Sequence, residues 1–279
     1  MLIDTHCHVN FAAYKEDSDK VIKRCLDKNI WLINVGSQLS TSQRVLEIAH
    51  KYTQGVYAIV GLHPIHLYKM HIDESEQGLD FVTRAEEFDY EIYKKLAQQS
   101  KVVGIGEMGI DYFHLPHDEN PDEVKIKQKH TFLQGLKLAK ELNKPITIHT
   151  RPSKGTHDAY DDEIDILQKA NYFKGVVHCF VGTEEQAQTF IDMGLLLSFT
   201  GIITFKNAKE VQAIVKTIPL NKIMIETDSP YLTPEPFRGS RNEPSFVEYV
   251  ARKIAELKGL SYDEVAEVTS NTAKNFFNI

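Results

Sequence analysis

Eight short apolar runs, rich in Val, Ile and Leu, recur along the chain at 2–5, 31–35, 56–61, 102–106, 145–148, 175–177, 195–199 and 222–225. Continuous apolar runs of this length suit strands buried on both faces of a parallel sheet. The stretches between them have helical periodicity. Val21, Ile22, Cys25 and Leu26 make one apolar face, and Val45, Leu46, Ile48 and Ala49 another. Phe132, Leu133, Leu136, Leu138 and Ala139 form a third, on a long segment after Pro121. Ile164, Ile166 and Leu167 follow, then Ala187, Phe190 and Ile191, then Val211, Ile214 and Val215. Two helices close the chain, 246–257 and one opened by Ser261, where Ser261 and Glu264 form a capping box. Strand alternating with helix eight times reads as a (β/α)8 barrel of the TIM type. A length of 279 residues suits one such domain, spanning 1–279. Two polar stretches, 69–87 and 152–162, are expected to be loop insertions. Long loops after barrel strands overhang the active face and shape the substrate site.

Composition narrows the setting. No apolar stretch approaches the ~20 residues that span a membrane, so no membrane partner is expected. Asp4 and the histidines after it interrupt any signal-peptide core. Three scattered cysteines, Cys7, Cys25 and Cys179, make no disulfide framework and fit a reducing cytoplasm. A cytoplasmic monomer is the expectation. The formal charge of −7 argues against non-specific wrapping of nucleic acid, and leaves a phosphate substrate to local cations or metal.

In a barrel of this kind the chemistry sits at the C-terminal ends of the strands. The residues just after the proposed strands are therefore informative. Strand one runs into His6 and His8, which share one side of an extended chain and can converge on one point. Strand three leads to His63, strand four to Glu107, strand five to His149 with Arg151 two residues on, and strand six to His178. Strand eight leads to Glu226 and Asp228, while strands two and seven end in Gly36-Ser37 and Thr200-Gly201. Each residue has a blander reading. A lone loop histidine is usually a hydrogen-bonded one, and Asp228 before Ser229-Pro230 suits an Asx turn. Unrelated loop histidines would not gather at the same end of successive strands. His50, His66, His71, His114, His117, His130 and His157 fall in helices or polar loops and read as solvated or peripheral.

Four imidazoles and two carboxylates suffice for two divalent ions with one bridging carboxylate. Glu107 is the natural bridge. His6, His8 and Asp228, from the first and last strands, would hold one ion with it, and His149 and His178 the other. Two ions roughly 3.5–4 Å apart clamp a phosphoryl oxygen and acidify a bridging water. Asp228 is placed to take that water's proton, alongside its ligand role. His63 and Arg151 are the candidate phosphate contacts, with Arg238 and Arg241 as further cations. Tyr112, Phe113 and Tyr231 are candidates for stacking on bases. Cys7 and Cys179 alternate with the ligands and should point away from the metals.

Seven ordered blocks carry a family resemblance. They are Ile3-Asp4-Thr5-His6-Cys7-His8, Gly61-Leu62-His63-Pro64, Gly106-Glu107-Met108-Gly109-Ile110-Asp111-Tyr112, Ile148-His149-Thr150-Arg151, His178-Cys179-Phe180-Val181-Gly182, Glu226-Thr227-Asp228-Ser229-Pro230-Tyr231-Leu232 and Asn242-Glu243-Pro244. Over nearly its whole length the chain resembles the TatD-type metal-dependent hydrolases, a branch of the amidohydrolase-like barrels. The resemblance implies metal ligands at His6, His8, Glu107, His149, His178 and Asp228. It also implies phosphodiester hydrolysis, often as a 3′–5′ deoxyribonuclease on single strands, with single-stranded DNA or RNA as the partner. It implies Mg²⁺, whereas an imidazole-rich donor set favours Zn²⁺ or another transition metal, so Mg²⁺, Mn²⁺ and Zn²⁺ all stand. Three alternatives stand beside phosphodiester hydrolysis: hydrolysis of a C–N or C–O bond in a small molecule, deacylation of D-aminoacyl-tRNA, and a non-enzymatic metal-stabilised scaffold, which six ligands around an open mouth fit less well. Many two-metal amidohydrolases bridge their ions with a carboxylated lysine at the strand-four position. Glu107 there favours the phosphodiesterase reading.

Overall fold

The structure, a computed structural model, describes residues 1–72 and 81–279. Along the chain run β1 (Leu2–Cys7), α1 (Ser18–Asp27), β2 (Ile30–Val35), α2 (Leu39–His50), β3 (Val56–Val60), β4 (His71–Ile72), β5 (Phe81–Val82), α3 (Tyr90–Ala97) and β6 (Val102–Asp111). There follow α4 (Pro121–Leu142), β7 (Ile146–Arg151), α5 (Asp158–Ala170), β8 (Gly175–Val177), α6 (Glu184–Asp192), β9 (Leu196–Phe199), α7 (Lys209–Thr217), β10 (Ile223–Ile225), α8 (Val247–Lys258) and α9 (Tyr262–Phe277). Eight of the strands form one sheet in the order β1-β2-β3-β6-β7-β8-β9-β10, with every pair parallel. This is the expected (β/α)8 barrel, and each of the eight apolar runs became one of its strands.

The barrel closes through the segment after β10. Asp228 N–H donates to the His6 carbonyl at 2.9 Å, and His8 N–H donates to the Ser229 carbonyl at 2.8 Å. Cys7 and Ser229 make a parallel bridge. The fully buried Asp4 clasps the same segment. Its Oδ1 accepts from Thr227 N–H at 3.0 Å, and its Oδ2 from the Thr227 hydroxyl at 2.6 Å. Inside the lumen, Ile3, Ile33, Val35, Ile59, Val103, Val176, Leu196 and Met224 pack into one cluster drawn from seven strands. Ala273 and Phe277 of α9 join it and plug the end opposite the loops that follow the strands. A larger cluster fills the layer between strands and helices, as Leu2, Leu32, Val56, Ile105 and Leu197 meet Val21, Val45, Phe132 and Phe190.

Three expectations about extent need correction. The fourth barrel strand does not stop at Gly106: β6 runs ten residues, through Glu107 to Asp111. Glycine makes this possible. Gly106 and Gly109 adopt φ of 139° and 150°, and a Cβ on Gly109 would meet the His149 carbonyl at 2.1 Å, so the strand lies flush against β7. The 152–162 insertion is shorter than expected because α5 begins at Asp158. The Asp158 carboxylate ties the loop down by accepting from Ser153 N–H at 2.9 Å, the Ser153 hydroxyl at 2.8 Å and the Thr156 hydroxyl at 2.8 Å. Within 69–87, β4 and β5 pair antiparallel, while 73–80 lie outside the described residues.

Asp4 joins the first and last strands from a fully buried site, so its loss leaves buried donors unpaired. Asp4→Ala should cost about 2–4 kcal/mol of stability, read from urea unfolding. A midpoint like that of the parent would show that closure does not depend on this clasp.

Candidate metal centre

Glu107 stands in mid-strand, 4% exposed, with a histidine on every side. Its two oxygens face different neighbours. Oε2 lies 3.4 Å from His6 Nε2 and 3.8 Å from His8 Nε2. Oε1 lies 2.8 Å from His149 Nδ1, 2.9 Å from His178 Nε2 and 3.4 Å from His63 Nε2. Burial alone would raise this carboxyl, but His178, His63 and His6 outweigh it and hold it well below the usual carboxylate range. Asp228 comes in from the closure segment. Its backbone takes the left-handed conformation, φ 53°, which aspartate tolerates, and its Oδ1 reaches 3.3 Å from His8 Nε2 and 3.8 Å from His6 Nε2. The His6 and His8 Nε2 atoms are 3.1 Å apart. With metal–nitrogen bonds of about 2.0–2.1 Å, two nitrogens at that separation reach one ion.

Carbonyl and carboxylate partners behind the rings select which nitrogen faces the centre. His8 Nδ1 lies 2.8 Å from the Val35 carbonyl, which leaves Nε2 to the site. His178 Nδ1 lies 3.2 Å from Glu226 Oε1, and the same oxygen accepts from Cys179 N–H at 2.7 Å. His149 Nε2 lies 3.2 Å from Asp111 Oδ2, which leaves its Nδ1 toward Glu107. Asp111 is itself fixed, accepting from Phe113 N–H at 3.0 Å and His114 N–H at 2.8 Å and pairing with His114 Nδ1 at 2.8 Å. Such partners set tautomer and ring orientation in metal-binding histidines. His63 differs. It caps the short turn Pro64–Leu67, and its Nδ1 accepts from Ile65 N–H at 3.2 Å. The neutral ring therefore carries its proton on Nε2 and presents an N–H to the centre.

All eight candidate site residues lie at the C-terminal end of the barrel, and seven of them converge: His6, His8, Glu107, His149, His178, Asp228 and His63. Among the described residues, three sets of potential ligand atoms cluster: His6 with His8 and Asp228, His6 with Glu107 and His178, and His63 with Asp111 and His149. Arg151 ends β7 with its guanidinium 4.2 Å from the centre of the Phe113 ring, and no carboxylate pairs with it among the described residues. Glu226, which with Asp228 follows the last strand, lies behind His178, whereas Asp111 is a site residue that position just after a strand does not mark. The signal existed: residues 107, 109 and 111 share a face of one strand once β6 runs past its glycines.

Other calls shift. His66 and His114 are buried rather than peripheral, 4% and 6% exposed, one under the hairpin and the other on Asp111. Arg241 holds Asp17 through two bonds of 2.9 and 2.7 Å and is not available for phosphate. Tyr112 is no stacking surface: it is buried, with its hydroxyl on Asp162 at 2.7 Å. Cys7 points away from the centre as expected, its Sγ 3.5 Å from both the Ile33 carbonyl and Asn34 Oδ1.

A family profile described as TatD related DNase matches residues 3–278. Two uncharacterized metal-dependent hydrolases align over all of this chain. YabD of Bacillus subtilis (strain 168) is 41% identical over 100% of its own length, and YcfH of Escherichia coli (strain K12) is 32% identical over 96%. The chain belongs to the TatD-related DNase family. The crystal structure of YJJV, a TatD homologue from Escherichia coli K12, superposes with a TM-score of 0.83 at 27% identity, covering 100% of this chain and 98% of that one. A TatD-family hydrolase from Entamoeba histolytica shares the fold, with a TM-score of 0.79 at 23% identity over 99% and 97% of the two chains. This TatD-family chain is a metal-dependent hydrolase, and its imidazole and carboxylate donors fit a divalent cation.

The carboxylates around the centre hold protons on two of its rings. Burial alone would lower the His149 ring, yet its bonds to Asp111 and Glu107 outweigh burial and raise it to about 9. Burial works against the His178 proton too, and Glu107 and Glu226 override it, raising the ring well above its usual value. Each ring thus keeps a proton on the nitrogen facing Glu107, and a cation bound there must displace it. Cation affinity of the TatD-family chain should therefore rise with pH from neutrality toward about 9, with proton release on binding. Calorimetry in buffers of different ionisation enthalpy reads that release, and binding without it would contradict the assignment. Asp111→Ala should weaken cation binding about 10–100-fold, since it frees the His149 ring to turn.

Proposed function

We propose that this protein hydrolyses phosphodiester bonds of nucleic acid, as a 3′–5′ exonuclease on single-stranded DNA or RNA, with two divalent cations. The observation that supports it is the division of Glu107, whose one oxygen turns to His6 and His8 and whose other turns to His149 and His178. A carboxylate so placed suits the bridge between two cations. His6, His8 and Asp228 would hold the first with Glu107, and His149 and His178 the second. The cations, Mg²⁺, Mn²⁺ or Zn²⁺, when bound supply Lewis-acid activation of the phosphoryl group and of the attacking water. Asp228 then accepts the water's proton, its Oδ1 lying at the edge of the cluster with its side chain 16% exposed. His63 offers its Nε2–H to a phosphoryl oxygen, and Arg151 offers a two-pronged contact to the phosphate. Arg238, exposed in the loop after β10, adds a further cation on the same face.

The test is hydrolysis of end-labelled single strands by chelator-stripped protein with Mg²⁺, Mn²⁺ or Zn²⁺ restored singly. A ladder shortening from the 3′ end is expected. Stoichiometric metal binding with no cleavage under any of the three would sink the reading. Glu107→Ala should abolish turnover and weaken cation binding at both positions. Asp228→Asn should lower kcat by about 10²–10⁴-fold, beyond its effect on cation affinity. Arg151→Ala should raise KM roughly tenfold while metal content holds.

A further inference from the structure

Two phenylalanines on the active face, Phe113 exposed and Phe205 half-buried, each carry an arginine, and the two pairs rise from different sides of the barrel mouth. Phe113 follows β6, is 38% exposed, and has the Arg151 guanidinium 4.2 Å from its ring centre. Phe205 follows β9 and the turn Gly201–Thr204, and Arg238, from the loop after β10, lies 3.9 Å from its ring centre. Neither arginine pairs with a carboxylate among the described residues, whereas Arg24, Arg241 and Arg252 are each held by one. Phe113, Phe205 and Arg238 follow strands and Arg151 is the last residue of β7, so both pairs sit on the face that bears Glu107. In the order of the barrel, β8 with His178 after it stands between them on one side, and β1 with His6 stands on the other.

Each pair combines an aromatic surface with an unengaged planar cation. Bases stack on aromatic rings whatever their sequence, and guanidinium both stacks and binds phosphate. We propose that Phe113–Arg151 and Phe205–Arg238 are two ledges that hold an unpaired nucleic-acid strand across the mouth. Each ledge takes a base against its stacked ring and guanidinium, and a neighbouring phosphate on the N–H edge of that guanidinium. The strand between them passes the Glu107 cluster. Base-paired duplex has no free base face to offer, so the ledges select single strands. This inference rests on the nucleic-acid reading of the site and deepens it by naming the residues that hold the strand.

Binding, not turnover, tests it. The metal-loaded protein is titrated with a fluorescent, hydrolysis-resistant phosphorothioate single strand, and with an abasic strand of equal length and charge. The base-bearing strand should bind more tightly than the abasic one. Phe113→Ala and Phe205→Ala should each weaken it about 5–30-fold, and weaken the abasic strand far less. Arg238→Ala should weaken both strands and lower the salt dependence by about one phosphate contact. Equal affinity for the two strands, or phenylalanine variants indistinguishable from the parent, would overturn the ledges. Base-dependent binding by a protein that cleaves no strand with any metal would uphold the ledges and remove the exonuclease reading.

Discussion

Barrel closure is the constraint on which the centre depends. The first strand carries His6 and His8, and the last segment carries Asp228, so the two lie 220 residues apart in sequence and become neighbours only when the ring shuts. The bonds that shut it are local to the ligands. Asp228 N–H reaches the His6 carbonyl, His8 N–H reaches the Ser229 carbonyl, and Asp4 grips Thr227 between them. Closing the fold and assembling the first ligand group are thus one event. The buried Asp4 clasp is tolerated because its polar atoms find partners on the segment it captures.

The second group depends on a different device. Glu107 sits within a strand, not after one, and glycines let that strand lie close to its neighbours. A Cβ on Gly61 would come within 2.4 Å of the Gly106 backbone, so β3 and β6 touch where Glu107 begins. Beyond it, Asp111 faces the same way and turns His149, while Glu226 turns His178. Both rings give the nitrogen nearer the centre to Glu107 and the other to a second carboxylate. The centre is therefore a ring of imidazoles held in orientation from outside and gathered by one carboxylate from inside.

Much of this was legible in the chain. The eight apolar runs marked the strands, since a strand buried on both faces must be apolar throughout. The ligand-type residues just beyond them marked the active end. Less legible was how far each element ran. Glycine-rich 104–109 looked like a strand end because glycine weakens an isolated strand, yet here glycines admit close contact with β3 and β7. That error hid Asp111. The buried His66 and His114 were misread for a related reason: a polar local sequence says nothing of a hairpin folding over it or of a carboxylate beneath it.

Sequence by itself determined the alternation of strand and helix, the end of the barrel that bears chemistry, and the donor types gathered there. Each follows from local order, because apolar period and position after a strand are properties of neighbouring residues. Tertiary structure alone decided which nitrogen of each imidazole faces inward, that Arg241 belongs to Asp17, and that Arg151 and Arg238 each lie over a phenylalanine. Those outcomes depend on contacts between residues far apart in the chain, and only ring closure brings them within bonding distance.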